Sequence, residues 1–187
     1  MISTGCCILR STETKLSNTI DWFTDCEYSH SGFIVKINNV LYVFEFDKFG
    51  GQFIEWETYN RLYTDIIVLR PSLSFSIEEK RMAIKECLNL TQYRYDYENL
   101  AFHQVIRCLS IKAINWLRGK GFKIKKDYIW IGRNGASADK AFNCGEATIE
   151  LYYRVRGWFE DIAYEGSGSP DYLYKSTYFQ HLKLNEI

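Results

Sequence analysis

A chain of 187 residues with 23 basic and 23 acidic side chains has no net field to draw it to nucleic acid or to an anionic membrane surface. Hydrophobic residues make up 47% and aromatics 17%, enough for a substantial core, so disorder is excluded and the length fits one domain over residues 1–187. No apolar stretch approaches the roughly eighteen residues of a membrane span, and the opening MISTGCCILRSTETKLSN has no secretory pattern. The expectation is a cytoplasmic chain with no integral membrane segment.

Six cysteines (Cys6, Cys7, Cys26, Cys87, Cys108, Cys144) could form three bridges, but a chain this rich in core residues needs no staples, and free thiols are expected. No pair shows zinc-knuckle spacing, and the histidines are only His30, His103 and His181, so neither a metal nor another cofactor is expected.

In chain order, Cys6 and Cys7 lead a short apolar pair and read as packing residues. Residues 32–46 alternate about Asn38 and Asn39, a pair that tolerates positive φ, which predicts a hairpin. Trp56, Tyr59 and Tyr63 read as core aromatics, with a pocket wall as the other use. TDIIVLRP, residues 64–71, is a β-branched run closed by Pro71 and predicts a strand. Ser76 followed by Glu79 opens a helix as a capping box. A second helix is expected over 98–118, stopped by Gly119 and Gly121, then a strand or extended arm at Tyr128–Ile131. A last helix begins at FNCGEATIELYYRVRGW, and the aromatic tail beyond GSGSP has no assignment.

The chemistry concentrates at NCGE, residues 143–146. Asn143 suits an N-cap and Glu146 its reciprocal carboxylate, which puts Cys144 in the first turn of a helix. That position favours a thiolate and offers free backbone N–H groups to an oxyanion. The competing reading is a small buried hydrophobe in the stripe Cys144, Ala147, Leu151, Val155, Trp158. In the hairpin, a turn at Asn38–Asn39 pairs Ile37 with Val40, Gly32 with Glu45 and His30 with Asp47. Glu45 then lies on the face of His30, one diagonal step away, where a carboxylate can orient the ring; Asp47, directly opposite, competes for that role. Cysteine, histidine and a polar orienter are the parts of an activated thiol nucleophile. His103, amid a predicted helix, and His181, in the tail with no partner visible, are weaker candidates.

FTDCEYSHSGFIV, YVFEF, IIVLRP, YRYDYENL and FNCGEATIELYY, in this order, resemble the signature segments of the circularly permuted papain-like hydrolases related to the NlpC peptidases, of the YiiX or YaeF kind. The resemblance spans about residues 20–155 and includes the permuted order, the histidine strand before the nucleophile's helix. It implies an α+β fold in which an antiparallel sheet packs against the nucleophile helix. It also implies Cys144 as nucleophile, His30 as general base, Glu45 as orienter, and Tyr95 and Asp96 as the Tyr-Asp pair near the substrate. Outside the pocket that pair reads as a packing tyrosine and a capping aspartate. Arg70 matches an arginine after the strand. Two departures stand out: Gly5 is followed by no aspartate, and Gly145 replaces the serine that often follows the nucleophile. The activity implied is hydrolysis of a small amide or peptide, including cell-wall peptides, by a Cys-His-Glu triad. Alternatives are acyl ester or thioester chemistry like that of the related lecithin-retinol acyltransferase group, and a non-catalytic binding module. The partner is thus a small-molecule, peptide or acyl substrate.

Overall fold

The computed structural model describes residues 1–11, 27–96, 104–125, 141–165 and 168–183. The strands are β1 (Cys7–Arg10), β2 (His30–Ile37), β3 (Val40–Asp47), β4 (Gly50–Glu55), β5 (Ile66–Pro71), β6 (Arg94–Tyr95), β7 (Ala141–Phe142) and β8 (Phe179–Lys183). The helices are α1 (Trp56–Leu62), α2 (Ile77–Leu90), α3 (Gln104–Gly119), α4 (Cys144–Arg156), α5 (Glu160–Glu165) and α6 (Pro170–Lys175).

Six strands form an antiparallel sheet in the order β4-β3-β2-β1-β5-β8, and β6 pairs in parallel with β7. The class is α+β. The hairpin turns at Asn38 and Asn39, both at positive φ (49° and 68°), and pairs Ile37 with Val40 through to Gly32 with Glu45. Because side chains alternate across a strand, a turn of fixed length decides which residues share a face.

The two faces are both covered. On one, Cys7, Leu9, Phe33, Val35, Phe44 and Phe46 join Ala83 and Leu90 of α2 and Ala147 and Leu151 of α4 in one apolar cluster. On the other, Cys6, Ile8, Ile34, Val43 and Val68 pack with Tyr59 of α1. Removing an aromatic such as Phe33, which is fully buried, would cost about 3–5 kcal/mol by the cavity rule.

The predicted capping boxes form. Ser76 Oγ accepts from the Glu79 N–H, whose carboxylate in turn accepts from the Ser76 N–H, and Asn143 and Glu146 exchange the same pair of bonds at 2.9 Å each. Glu79 also binds Arg156 (Nε to Oε1 2.8 Å), fastening the start of α2 to the end of α4. The stripe through Cys144, Ala147, Leu151 and Val155 is buried, but so are Gly145, Glu146, Thr148, Ile149, Glu150 and Tyr152. The amino-terminal half of α4 is therefore enclosed on all sides rather than along one stripe.

Several expectations change. β1, one of the two central strands, has only four residues; Cys7 within it and Cys6 just before it pack as expected. The strand predicted at 64–71 forms as β5, starting at Ile66. Of the helix expected over 98–118, the described part is Gln104–Gly119, while His103 and the arm at Tyr128–Ile131 lie outside the described residues. The tail folds as α6 and β8, where His181 is exposed, its Nε2 2.9 Å from the Tyr174 carbonyl oxygen and its ring against the Tyr174 ring. Arg70 donates to Gln180 across β5 and β8 at 2.6 Å, a structural contact. No helix among the described residues is long and apolar enough to cross a membrane.

Gly145 shows why a serine is missing after Cys144. A Cβ there would sit 2.5 Å from Ser169 Cα, and one on Gly168 would sit 2.9 Å from Glu146 Cα, so two backbones meet through paired glycines. Gly145→Ala should therefore destabilise the fold by about 1–3 kcal/mol or more, as overpacking against backbone does. Chemical denaturation of the variant beside wild type measures it, and an unchanged midpoint would contradict the close approach.

Candidate active site

His30 begins β2, and its Nε2 lies 2.6 Å from Glu45 Oε2 on the neighbouring strand. The hairpin register does this, as the diagonal relation of the two positions requires. Asp47 does not compete: its carboxylate accepts from Gln52 Nε2 at 2.9 Å and from the Phe49 N–H at 2.8 Å. With Nε2 committed to Glu45, Nδ1 is the ring nitrogen left for Cys144, whose thiol interacts with the imidazole and lies 3.9 Å from the Ser29 carbonyl oxygen.

Cys144 is held against β2 by its own backbone. Ser31 Oγ donates to the Cys144 carbonyl at 3.1 Å and Thr148 Oγ1 donates to the same oxygen at 2.9 Å. The residue after the histidine thus fastens the helix that carries the thiol. Asn143 caps that helix through Oδ1, while its Nδ2 is buried with no hydrogen-bond partner, a donor one residue from Cys144.

Glu45 is only 3% exposed, and a carboxylate taken from water needs compensating donors. Beside His30 it accepts from the Tyr59 hydroxyl at 3.1 Å and from Gln52 Nε2 at 3.4 Å, with an Arg10 terminal nitrogen at 3.8 Å. Burial opposes its charge, but His30 first, then Arg10 and Tyr59, hold it below the usual carboxylate range. Burial likewise opposes the imidazolium, yet Cys144 and then Glu45 outweigh it and raise His30 to about 9. Burial alone would raise the Cys144 thiol; the His30 charge reverses this and holds it below its ordinary value. Burial raises Cys6, Cys7 and Cys87 instead. A thiolate-imidazolium pair, backed by an ionised carboxylate, is the arrangement these charges favour.

Tyr95 and Asp96 are brought beside this helix by backbone bonds. Tyr95 pairs with Phe142 and the Asp96 N–H donates to the Phe142 carbonyl at 2.9 Å, two residues before Cys144. Tyr59, expected as a core aromatic, is fully buried but spends its hydroxyl on Glu45. Arg10, Ser31, Gln52 and Thr148 were not singled out in the sequence. Arg10 carried the most readable signal: an acid on a buried strand demands a cation, and Arg10 is the one charge in CCILR.

Among the described residues no group of three or more histidine, cysteine, aspartate or glutamate side chains is disposed to hold a metal ion. The chain is similar in structure to the crystal structure of the metalloprotein yiiX from Escherichia coli O157:H7, with a TM-score of 0.66 at 16% identity, over 97% of this chain and 96% of that one. No protein-family profile and no curated protein matches the chain. The fold of this protein is that of yiiX.

Proposed function

We propose that the chain is a cysteine hydrolase of the permuted papain-like, NlpC-related kind, acting on a small amide or peptide. One observation carries the reading: the 2.6 Å bond from His30 Nε2 to Glu45, which leaves the other ring nitrogen to a thiol at the amino terminus of a helix. The chain order, base-bearing strand before nucleophile-bearing helix, and the fold shared with yiiX support it.

In this mechanism the Cys144 thiolate adds to the substrate carbonyl and the C=O electron pair moves to oxygen. The oxyanion is met by the Cys144 backbone N–H, which has no acceptor within its helix. His30 gives its proton to the leaving amine as the C–N bond breaks, leaving a thioester. Neutral His30 then takes a proton from water, whose hydroxide displaces the thiolate and releases the acid. Glu45 stays ionised and keeps the Nε2 proton in place throughout.

Limiting iodoacetamide near neutral pH should alkylate Cys144 ahead of Cys6, Cys7 and Cys87, whose thiols burial keeps protonated. Peptide mapping by mass spectrometry reads the order. Labelling of Cys144 no faster than Cys87 would sink the nucleophile assignment and favour a binding module.

A further inference from the structure

Beside Glu45, Arg10 Nε donates to the Tyr59 hydroxyl oxygen at 2.8 Å. A guanidinium has no acceptor, so the direction of this bond is certain, and it occupies a lone pair of the hydroxyl. The Tyr59 proton must then point elsewhere, and 3.1 Å away is Glu45 Oε2, the oxygen that His30 uses. Burial first, and then the Glu45 charge, keep that proton on Tyr59 by raising its pKa well above the ordinary value. Arg10 is itself held: its guanidinium carbon lies 4.0 Å from the centre of the Tyr63 ring, and β1 pairs it with His30 on β2.

We propose that Arg10 and Tyr59 are positioning residues that act through Glu45 to set the proton balance of the His30–Cys144 pair. The inference rests on the hydrolase reading above. Arg10 orients Tyr59; Tyr59 supplies a second donor to the carboxylate oxygen; that oxygen stays ionised and cannot accept the Nε2 proton as its own. His30 is thereby confined to the form in which Nε2 donates and Nδ1 exchanges the proton with the thiol. Arg10 also adds a positive charge that lowers the proton affinity of every neighbouring group. Among the described residues, the titratable and charged groups facing this cluster are Arg10 from β1, His30 from β2, Glu45 and Asp47 from β3, Tyr59 from α1, Tyr63 just after it, and Cys144 from α4. Asp47 is tied to Gln52.

The signs follow from electrostatics. Removing a cation raises the pKa of its neighbours, so Arg10→Met should move both the thiol and the imidazole to higher pH. Tyr59→Phe removes a donor but no charge, so it should raise the imidazole and leave the thiol nearly where it was. Cys144 alkylation by iodoacetamide as a function of pH reads the thiol, and the His30 ring proton followed by NMR through the same range reads the imidazole independently. In Arg10→Met the alkylation curve should shift by about one pH unit, a roughly tenfold slower reaction on its acid side, as loss of a nearby opposite charge gives. Arg10→Lys, which keeps the charge, should restore most of it.

Both curves unmoved in Arg10→Met, with only a uniform fall in rate, would overturn the positioning role while leaving the nucleophile assignment intact. A wild-type Cys144 that titrates as an ordinary thiol would overturn both. If Arg10→Met does not fold, Arg10→Lys with its thiol curve in place and Tyr59→Phe with a raised imidazole support the proposal, and Tyr59→Phe with an unshifted imidazole rejects it.

Discussion

Cys144→Ala and His30→Ala should each lower turnover of an amide substrate by about a thousandfold or more, and the double variant should lose little beyond either one. The two groups meet as one unit, with the thiol held below its ordinary pKa by the imidazolium and the imidazolium raised to about 9 by thiol and carboxylate. A base without its nucleophile has nothing to activate, and a thiol without its base loses its charge partner. Folding should survive in both, since the cap at Asn143 and the buried face at Ala147 and Leu151 are untouched. Steady-state rates for the three proteins give the cycle. Additive losses, or wild-type turnover in Cys144→Ala, would end the hydrolase reading.

The second large effect is expected at Glu45. Glu45→Ala leaves the His30 and Arg10 cations without their buried counter-charge and removes the acceptor of the Tyr59 hydroxyl. The cost should be about 3–5 kcal/mol of stability, the range for breaking one side of a buried pair. Glu45→Gln is the cleaner probe of chemistry, because an amide oxygen still accepts from Nε2 while the charge is gone. Wild-type turnover should follow a bell: it rises as Cys144 loses its proton below the ordinary thiol value, and falls as His30 loses its own near pH 9. Without the carboxylate charge the imidazolium is less favoured, so the alkaline limb of Glu45→Gln should move to lower pH, with a smaller rate loss than at Cys144 or His30. An alkaline limb that stays in place would show that Glu45 does not support the His30 charge. This shift is opposite in sign to that expected for Arg10→Met, which separates the two roles.

Much of this site could be read in the primary structure because its determinants are local. The Asn38–Asn39 turn sets register, and register alone carries Glu45 to His30 and sends Asp47 elsewhere. Asn143 and Glu146 close a helix end within four residues, and that end is where Cys144 stands. The capping box of α2 is legible for the same reason. The face of α4 was less so: a periodic stripe tells which side must be buried, not that α2, α5 and α6 would enclose the others as well.

What the chain order could not reveal is set by contacts between distant segments. β1 is four residues long, too short for periodicity to mark, and becomes an interior strand of the sheet only because β2 and β5 flank it. Arg10 and Tyr59 gain their purpose there, since a buried carboxylate must be neutralised and only the assembled sheet brings β1 and α1 to the face of Glu45. The absence of a serine at Gly145 had no reason within its own segment either. It has one when the backbone at Gly168 and Ser169 presses against the first turn of α4, closer than any side chain allows. Short-range hydrogen bonding set the Glu45–His30 register and the helix end that carries Cys144; long-range contacts, desolvation and close packing, which exist only once the chain has folded, decided what brings that helix end to His30 and what holds the three groups in their charged form.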